Sequence, residues 1–275
     1  MSILGHILPA FIQKRYRDLQ RRLDRAERSL SHLQMEVDAL VEVSTYAPGE
    51  DVGFNGQRQR KRVFGDVTAA LSFEAMVETG TRLGTTAGYM RQTTRRPVHT
   101  CELNPRFLSL ARLRLADLDQ IQFELGDSRA FLRNLALSGM AGKLAFFYLD
   151  AHGEDDLPLV EELEIIASNW PQFVVMIDDF QVADDPGYSY DDWGAGKALT
   201  LELLRPALAK HGLTVFFPAA PSSEETGSKR GCVVLATHGD VSKQLATLAS
   251  LRQWPSSLPP TASAHRRAGI AGLAG

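Results

Sequence analysis

Cysteine is nearly absent from this chain of 275 residues, which has only Cys101 and Cys232. Two thiols are too few for a disulfide framework or a four-cysteine zinc site. The usage suits a reducing compartment, so a cytoplasmic protein is expected. Also missing is an apolar run near the ~20 residues that a membrane-spanning helix needs, so no membrane span is expected. Nor is one charge in excess, since 30 basic and 33 acidic side chains leave a formal net charge of −3. A phosphate-backbone binder usually carries a strong basic surplus, so no nucleic-acid partner is expected. The first ten residues lack the basic leader and hydrophobic block of a signal peptide. What is present is 44% hydrophobic and 23% charged residues, enough to bury a core in one large domain or two small ones.

From about Pro9 to Ser44 the pattern is helical. Leu19, Leu23, Ala26, Leu30, Leu33, Val37 and Leu40 recur at alternating steps of four and three, a heptad seam flanked by Arg15, Arg17, Arg21, Arg22, Arg25 and Arg28. A spacing averaging 3.5 residues keeps one stripe facing a partner helix. Three readings stay open: a face laid on the protein's own core, a coiled coil with a second copy, or a membrane-surface helix.

A loop rich in Gly, Asn, Gln and Arg is expected from Pro48 to Arg62. After it, short apolar runs alternate with amphipathic segments. Seven strands are predicted, at 73–79, 97–102, 120–125, 144–150, 172–178, 213–218 and 231–237. Helical stretches such as Asn104 to Leu118 and Asp156 to Ser168 lie between them. The alternation implies an α/β fold, a doubly wound parallel sheet covered by helices on both faces. The expected organisation is a helix in residues 1–50, one sheet domain in 51–250 and a tail in 251–275, where Pro, Ser, Ala and Gly prevail without periodicity.

In such a sheet, ligands sit beyond the carboxyl ends of the strands. The first strand runs into Glu78-Thr-Gly80-Thr81-Arg-Leu-Gly84. Its glycines permit a tight turn and close approach of a ligand to the backbone, and its threonines can donate hydrogen bonds. The second strand ends at Glu102, about 20 residues after Gly80, where an acid can accept both ribose hydroxyls of a nucleoside or simply cap the next helix. Gly126-Asp127-Ser128 ends the third strand, suited equally to an adenine amino group and to helix capping.

The fourth and fifth strands end in Asp150-Ala-His152 and Asp178-Asp179. Three carboxylates gathered at one sheet edge repel one another unless a cation intervenes, and a hard divalent ion such as Mg²⁺ would resolve the conflict. The other reading leaves Asp150 facing the ligand, with Asp178 and Asp179 capping the next segment of chain.

As a set, these motifs resemble the class I S-adenosylmethionine-dependent methyltransferases, and within them the divalent-metal-dependent O-methyltransferases that include the sugar and macrolide branch. The resemblance spans about Val63 to Thr237. It implies a Rossmann-like sheet of seven strands, the last antiparallel. It also implies that Glu78, Gly80, Thr81 and Gly84 form the cofactor loop, that Glu102 holds the ribose, and that Asp127 and Ser128 border the adenine. Asp150 would bind metal together with Asp178 and Asp179. Some relatives use a Lys or His shortly after the first metal Asp as general base, and here His152 stands two positions on.

The expected function is therefore Mg²⁺-dependent O-methylation of a hydroxyl on a sugar-containing small molecule or saccharide, with Asp150 and His152 catalytic. Acceptor contacts are expected from the loop carrying Tyr188, Tyr190, Trp193 and Lys197, whose flat rings and glycines could close over a polar ring; equally, the aromatics could pack the loop down on the sheet. A second copy would join through the N-terminal helix. Two other readings are a same-fold metal enzyme of hydroxylase type and a non-catalytic assembly subunit.

Overall fold

The computed structural model describes residues 10–45, 53–153, 156–194 and 196–255. Within it the chain forms β1 (Ala75–Thr79), β2 (Val98–Glu102), β3 (Ile121–Leu125), β4 (Ala145–Leu149), β5 (Phe173–Ile177), β6 (Thr214–Pro218), β7 (Val233–Ala236) and β8 (Leu251–Gln253). They make one sheet in the order β3-β2-β1-β4-β5-β7-β6-β8. The first five are mutually parallel, while β7 runs antiparallel to both β5 and β6. This is the expected doubly wound, Rossmann-like arrangement, and each of the seven predicted strands is present within a residue or two of its expected bounds.

Period-two alternation builds two cores. Val77, Phe147, Leu149, Val175 and Ile177 face one side, against α5 (Ser128–Leu137), α6 (Leu159–Asn169) and α7 (Leu201–His211). Met76, Phe146, Tyr148, Val174 and Met176 face the other, with α2 (Arg58–Ala70), α3 (Thr85–Thr94) and α8 (Asp240–Leu245). With both faces covered, β1, β4 and β5 are buried at every position; β4 and β5 read as unbroken apolar runs, while β1 ends in the buried polar pair Glu78-Thr79. A further helix, α4 (Pro105–Arg114), comes after β2 and is capped by Asn104.

Two expectations differ from the structure. The loop predicted to run to Arg62 becomes helical at Arg58, because Val63, Phe64 and Val67 face the sheet and the same face extends back one turn to Arg60. Residues 48–52 of that loop lie outside the described residues. An eighth strand pairs antiparallel with β6 where the tail was expected to begin. Strand β8 is short and carries Arg252, whose stem and guanidinium cover the Phe217 and Trp254 rings. The rest of the expected tail, 256–275, lies outside the described residues.

The N-terminal helix, α1 (Ala10–Thr45), approaches α4. Its seam is not laid on the core, since Leu19, Leu23, Ala26, Leu30 and Val37 are exposed. The Arg28, Leu33 and Leu40 side chains lie outside the described ones, as do residues 1–9. Among the described residues, no helix is long and apolar enough to cross a membrane.

Candidate active site

Strand order reverses between β1 and β4, and a sheet of this kind opens a crevice at that point. A cleft of about 1210 Å³ lies there, lined by residues from the ends of all five parallel strands. Gly80 makes it possible. Its φ of +84° is in the left-handed region, and a Cβ on it would sit 2.3 Å from the Asp150 carbonyl oxygen. Only a residue without a side chain lets β1 turn away while touching the end of β4.

Under β3, β2 and β1 the cleft has the features of a nucleoside pocket. Glu102 uses its two carboxylate oxygens to accept the Arg82 amide at 2.7 Å and the Asn104 amide at 2.9 Å, tying the glycine loop to the end of β2. A carboxylate has further lone pairs toward the cleft, so both its capping and its ribose role are open to it. Glu78 is buried beneath the loop and accepts from Thr100 Oγ1 at 2.6 Å, while Thr81 Oγ1 lies 2.5 Å from the same hydroxyl. Burial raises the Glu78 pKa to about 8. Gly84 is the N-cap of α3, with Leu115 and Ala111 of the neighbouring segment packed against it.

Asp127 acts as a cap. It accepts from the Arg129 and Ala130 amides at 2.9 and 3.2 Å, and the Arg129 side chain, shared with Asp156, holds its pKa down at about 2. Ser128 is buried at the start of α5 and also lines the cleft.

The other half of the cleft, over β4 and β5, departs from expectation. Asp178 is fully buried and does not join the other carboxylates. It pairs with Arg60 of α2 and accepts from the Tyr148 hydroxyl, and Asn55 Nδ2 stands 3.4 Å from it. The structure instead gathers Asp150, His152 and Asp179, with one ligand atom from each within 4.8 Å of the others. Asp179 is already paired, since Arg230 Nε lies 2.7 Å from it and the same guanidinium binds Asp191. Asp150 has no Lys or Arg partner among the described residues; His152 Nε2 is 3.9 Å away. About a third of the Asp150 side chain reaches solvent, yet its depth and the nearby Asp178 and Asp179 charges push its pKa well up.

His152 is the most unusual group here. Its side chain is 2% exposed, neither ring nitrogen has a hydrogen-bond partner among the described residues, and Trp193 lies 6.2 Å away between ring centres. Burial lowers its pKa, which keeps it neutral and able to take a proton. The expected acceptor loop contributes less than predicted. Tyr188 is buried and donates to the Ala220 carbonyl, and Tyr190, Trp193 and Lys197 are likewise absent from the cleft wall.

Arg60, Arg230 and Gln57 were not singled out from the sequence. Gln57 donates to the Arg230 carbonyl at 2.7 Å and accepts from the Arg230 amide at 3.0 Å. Arg60 Nη2 adds bonds to the carbonyls of Arg230 and Gly231. The signal for Arg60 was its position one turn before Val63 and Phe64. Arg230 gave none, standing in a polar loop 51 residues after its partner Asp179.

A sulfonium nucleoside fits this cleft. The Gly80 turn leaves room against the backbone, Glu102 stands at the second strand end, and Glu78 and Asp150 are acids without a Lys or Arg partner among the described residues. Mg²⁺ does not fit in the same way. That ion prefers an octahedron of oxygens, whereas the group here includes an imidazole and a carboxylate already bonded to a guanidinium.

No protein family and no curated protein matches the sequence. Among solved structures, the chain is similar to an O-methyltransferase from Bacillus cereus in complex with SAH, at 16% identity and a TM-score of 0.49, over 75% of this chain and 90% of that one. It is similar to cofactor-bound Rv0187 from MTB at 17% identity and a TM-score of 0.48, over 77% and 89%. For the O-methyltransferase TomG from Streptomyces achromogenes, involved in tomaymycin synthesis and bound to SAM, the values are 17% and 0.47, over 66% and 80%.

Proposed function

We propose that this chain is an S-adenosylmethionine-dependent O-methyltransferase acting on a hydroxyl of a sugar-containing small molecule or saccharide. The observation that carries this reading is the meeting of the Gly80 turn, the Glu102 carboxylate and the Asp150 carboxylate in one cleft at the switch point. Gly80, Thr81 and Gly84 would receive the methionine end of the cofactor, Glu102 its ribose, and the Asp127–Ser128 turn its base. Beside a bound sulfonium the ionised forms of Glu78 and Asp150 would be favoured against the effect of burial, and the carboxylates would then offset its positive charge.

When bound, S-adenosylmethionine supplies an activated methyl group: its S–CH₃ bond breaks as an O–CH₃ bond forms, and neutral S-adenosylhomocysteine remains. The protein's contribution is alignment and proton removal. His152 accepts the proton of the acceptor hydroxyl on a ring nitrogen, and Asp150, 3.9 Å from Nε2, steadies the resulting imidazolium. With its side chain 2% exposed, the ring has little access to water.

Pockets for one small ligand run to roughly 300–1,000 Å³, so this cleft has room for a second molecule beside the cofactor. Asn55, Ser228 and Arg230 line that second space, and their hydrogen-bonding groups suit a hydroxyl-rich acceptor better than an apolar one. The Mg²⁺ expected from the sequence is left out because Asp178 and Asp179 are engaged by arginines. The exposed seam of α1 is assigned to pairing with a second copy, which sedimentation of the full chain against a Leu23→Lys, Leu30→Lys variant would test.

The reading is tested by incubating the full chain with S-adenosylmethionine and sugar-bearing acceptors and weighing the products. A gain of one CH₂ in an acceptor is expected. Gain of one oxygen, or cofactor binding without turnover across phenolic and saccharide acceptors, would favour the hydroxylase-type enzyme or the idle subunit.

A further inference from the structure

The charges at the end of β5 are matched by side chains, and the matching is built in several layers. Asp178 and Arg60 form an ion pair with both side chains at 0% exposure. Arg230 holds Asp179 and Asp191 together, each of the three less than a quarter exposed. The arginines are themselves fixed. Arg60 bonds the carbonyls of Arg230 and Gly231, and Gln57 grips Arg230 through both its amide and its carbonyl. The short turn Gly53–Gly56 drops Phe54 between Phe64, Tyr89 and Tyr148, which seats the start of α2 over the sheet. Glu225 then accepts the Gln59 and Arg60 amides from the far side.

A planar guanidinium is weakly hydrated and forks between carboxylates, which suits it to pairs with little solvent around them. Two such groups supply two positive charges, the same as one divalent ion. A cation arriving beside Asp150 would meet Arg230 within a few ångströms, and at short range in a poorly solvated cleft that repulsion is large. Only one carboxylate and one imidazole would be left to oppose it.

We propose that Arg60 and Arg230 replace a divalent cation in this cleft, so that cofactor binding and methyl transfer proceed without metal, and that Arg230, which lines the cleft, orients the acceptor oxygen toward His152. This rests on the methyltransferase reading above. Arg60 acts as a positioning residue through Asp178 and Arg230, whereas Arg230 faces the ligand space directly.

The test uses the full chain and two independent readouts. Mn²⁺ is titrated in and followed by its EPR signal, and S-adenosylhomocysteine binding is measured by calorimetry with and without EDTA. For the wild type, Mn²⁺ is expected to remain free and cofactor affinity to change less than about twofold with EDTA. In Arg230→Gln, Asp179 and Asp191 lose their counter-cation, and Mn²⁺ binding at least about tenfold tighter than wild type is expected. Arg230→Lys keeps the charge and is expected to leave Mn²⁺ free, which separates charge from any effect on folding. Stoichiometric Mn²⁺ on the wild type, loss of cofactor affinity in EDTA, or no gain in Arg230→Gln would each overturn the proposal. If S-adenosylhomocysteine fails to bind at all, the methyltransferase reading fails, and the Mn²⁺ titration still decides whether the arginines exclude a cation.

Discussion

Arg60 on α2 closes on Asp178 at the end of β5, and both side chains are shut off from solvent. An ion pair, rather than a free metal ligand, therefore terminates one of the central strands. Breaking it from one side strands a buried charge. Arg60→Met is expected to lose about 3–5 kcal/mol of stability in denaturant titration. Adding Asp178→Asn in that background should restore part of the loss, because the uncompensated charge is gone. An Arg60→Met variant as stable as wild type would contradict the pairing.

Gly80 is expected to tolerate no side chain. In Gly80→Ala the new Cβ meets the Asp150 carbonyl and the backbone stays at a φ that costs a non-glycine residue about 1–3 kcal/mol. Cofactor affinity measured by calorimetry should drop by more than the same change at Gly142, where a Cβ would meet nothing within 4 Å.

Glu162, wholly buried in the first turn of α6, has Thr79 and Ser128 as its nearest hydroxyls, and neither closes to hydrogen-bond geometry on its carboxyl oxygens. Burial lifts its pKa from 4.5 to about 7. The folded state thus favours the neutral acid. Its contribution is most favourable below the unfolded pKa and is lost as pH rises through about 7. Glu162→Gln escapes that loss, so its stability relative to wild type should rise between pH 5 and pH 8, by up to a few kcal/mol. Parallel stability profiles would refute the assignment.

His152→Gln removes the proposed base and should lower kcat by roughly 10²–10⁴ while leaving cofactor affinity nearly intact. Because burial lowers the imidazole pKa, the acid limb of the wild-type rate profile is expected below pH 6.5. A limb above that value would point to another base.

The strands were legible because burial on both faces makes β4 and β5 continuous apolar runs, and the glycine loop and Glu102 could be read from the ends of β1 and β2. Arg60 was hidden for a physical reason: Arg58 to Arg62 looks like a solvated basic loop, yet one of its guanidiniums faces inward along the stripe of Val63 and Val67. The Asp178-Asp179 pair was found by spacing, but its partners were not: adjacent residues at a strand end point in different directions, and each met its own arginine. Of the two readings open for Tyr188, ligand platform or packing of its loop on the sheet, the structure has the second. Residues that act through partners far along the chain leave little local pattern.

The most direct test of the central claim is calorimetric titration of the full chain with S-adenosylmethionine in EDTA, beside Glu102→Ala. The account predicts one site per chain for the wild type and at least about tenfold weaker binding when the Glu102 carboxylate is removed. No binding by the wild type, or equal affinity in the two proteins, would contradict it.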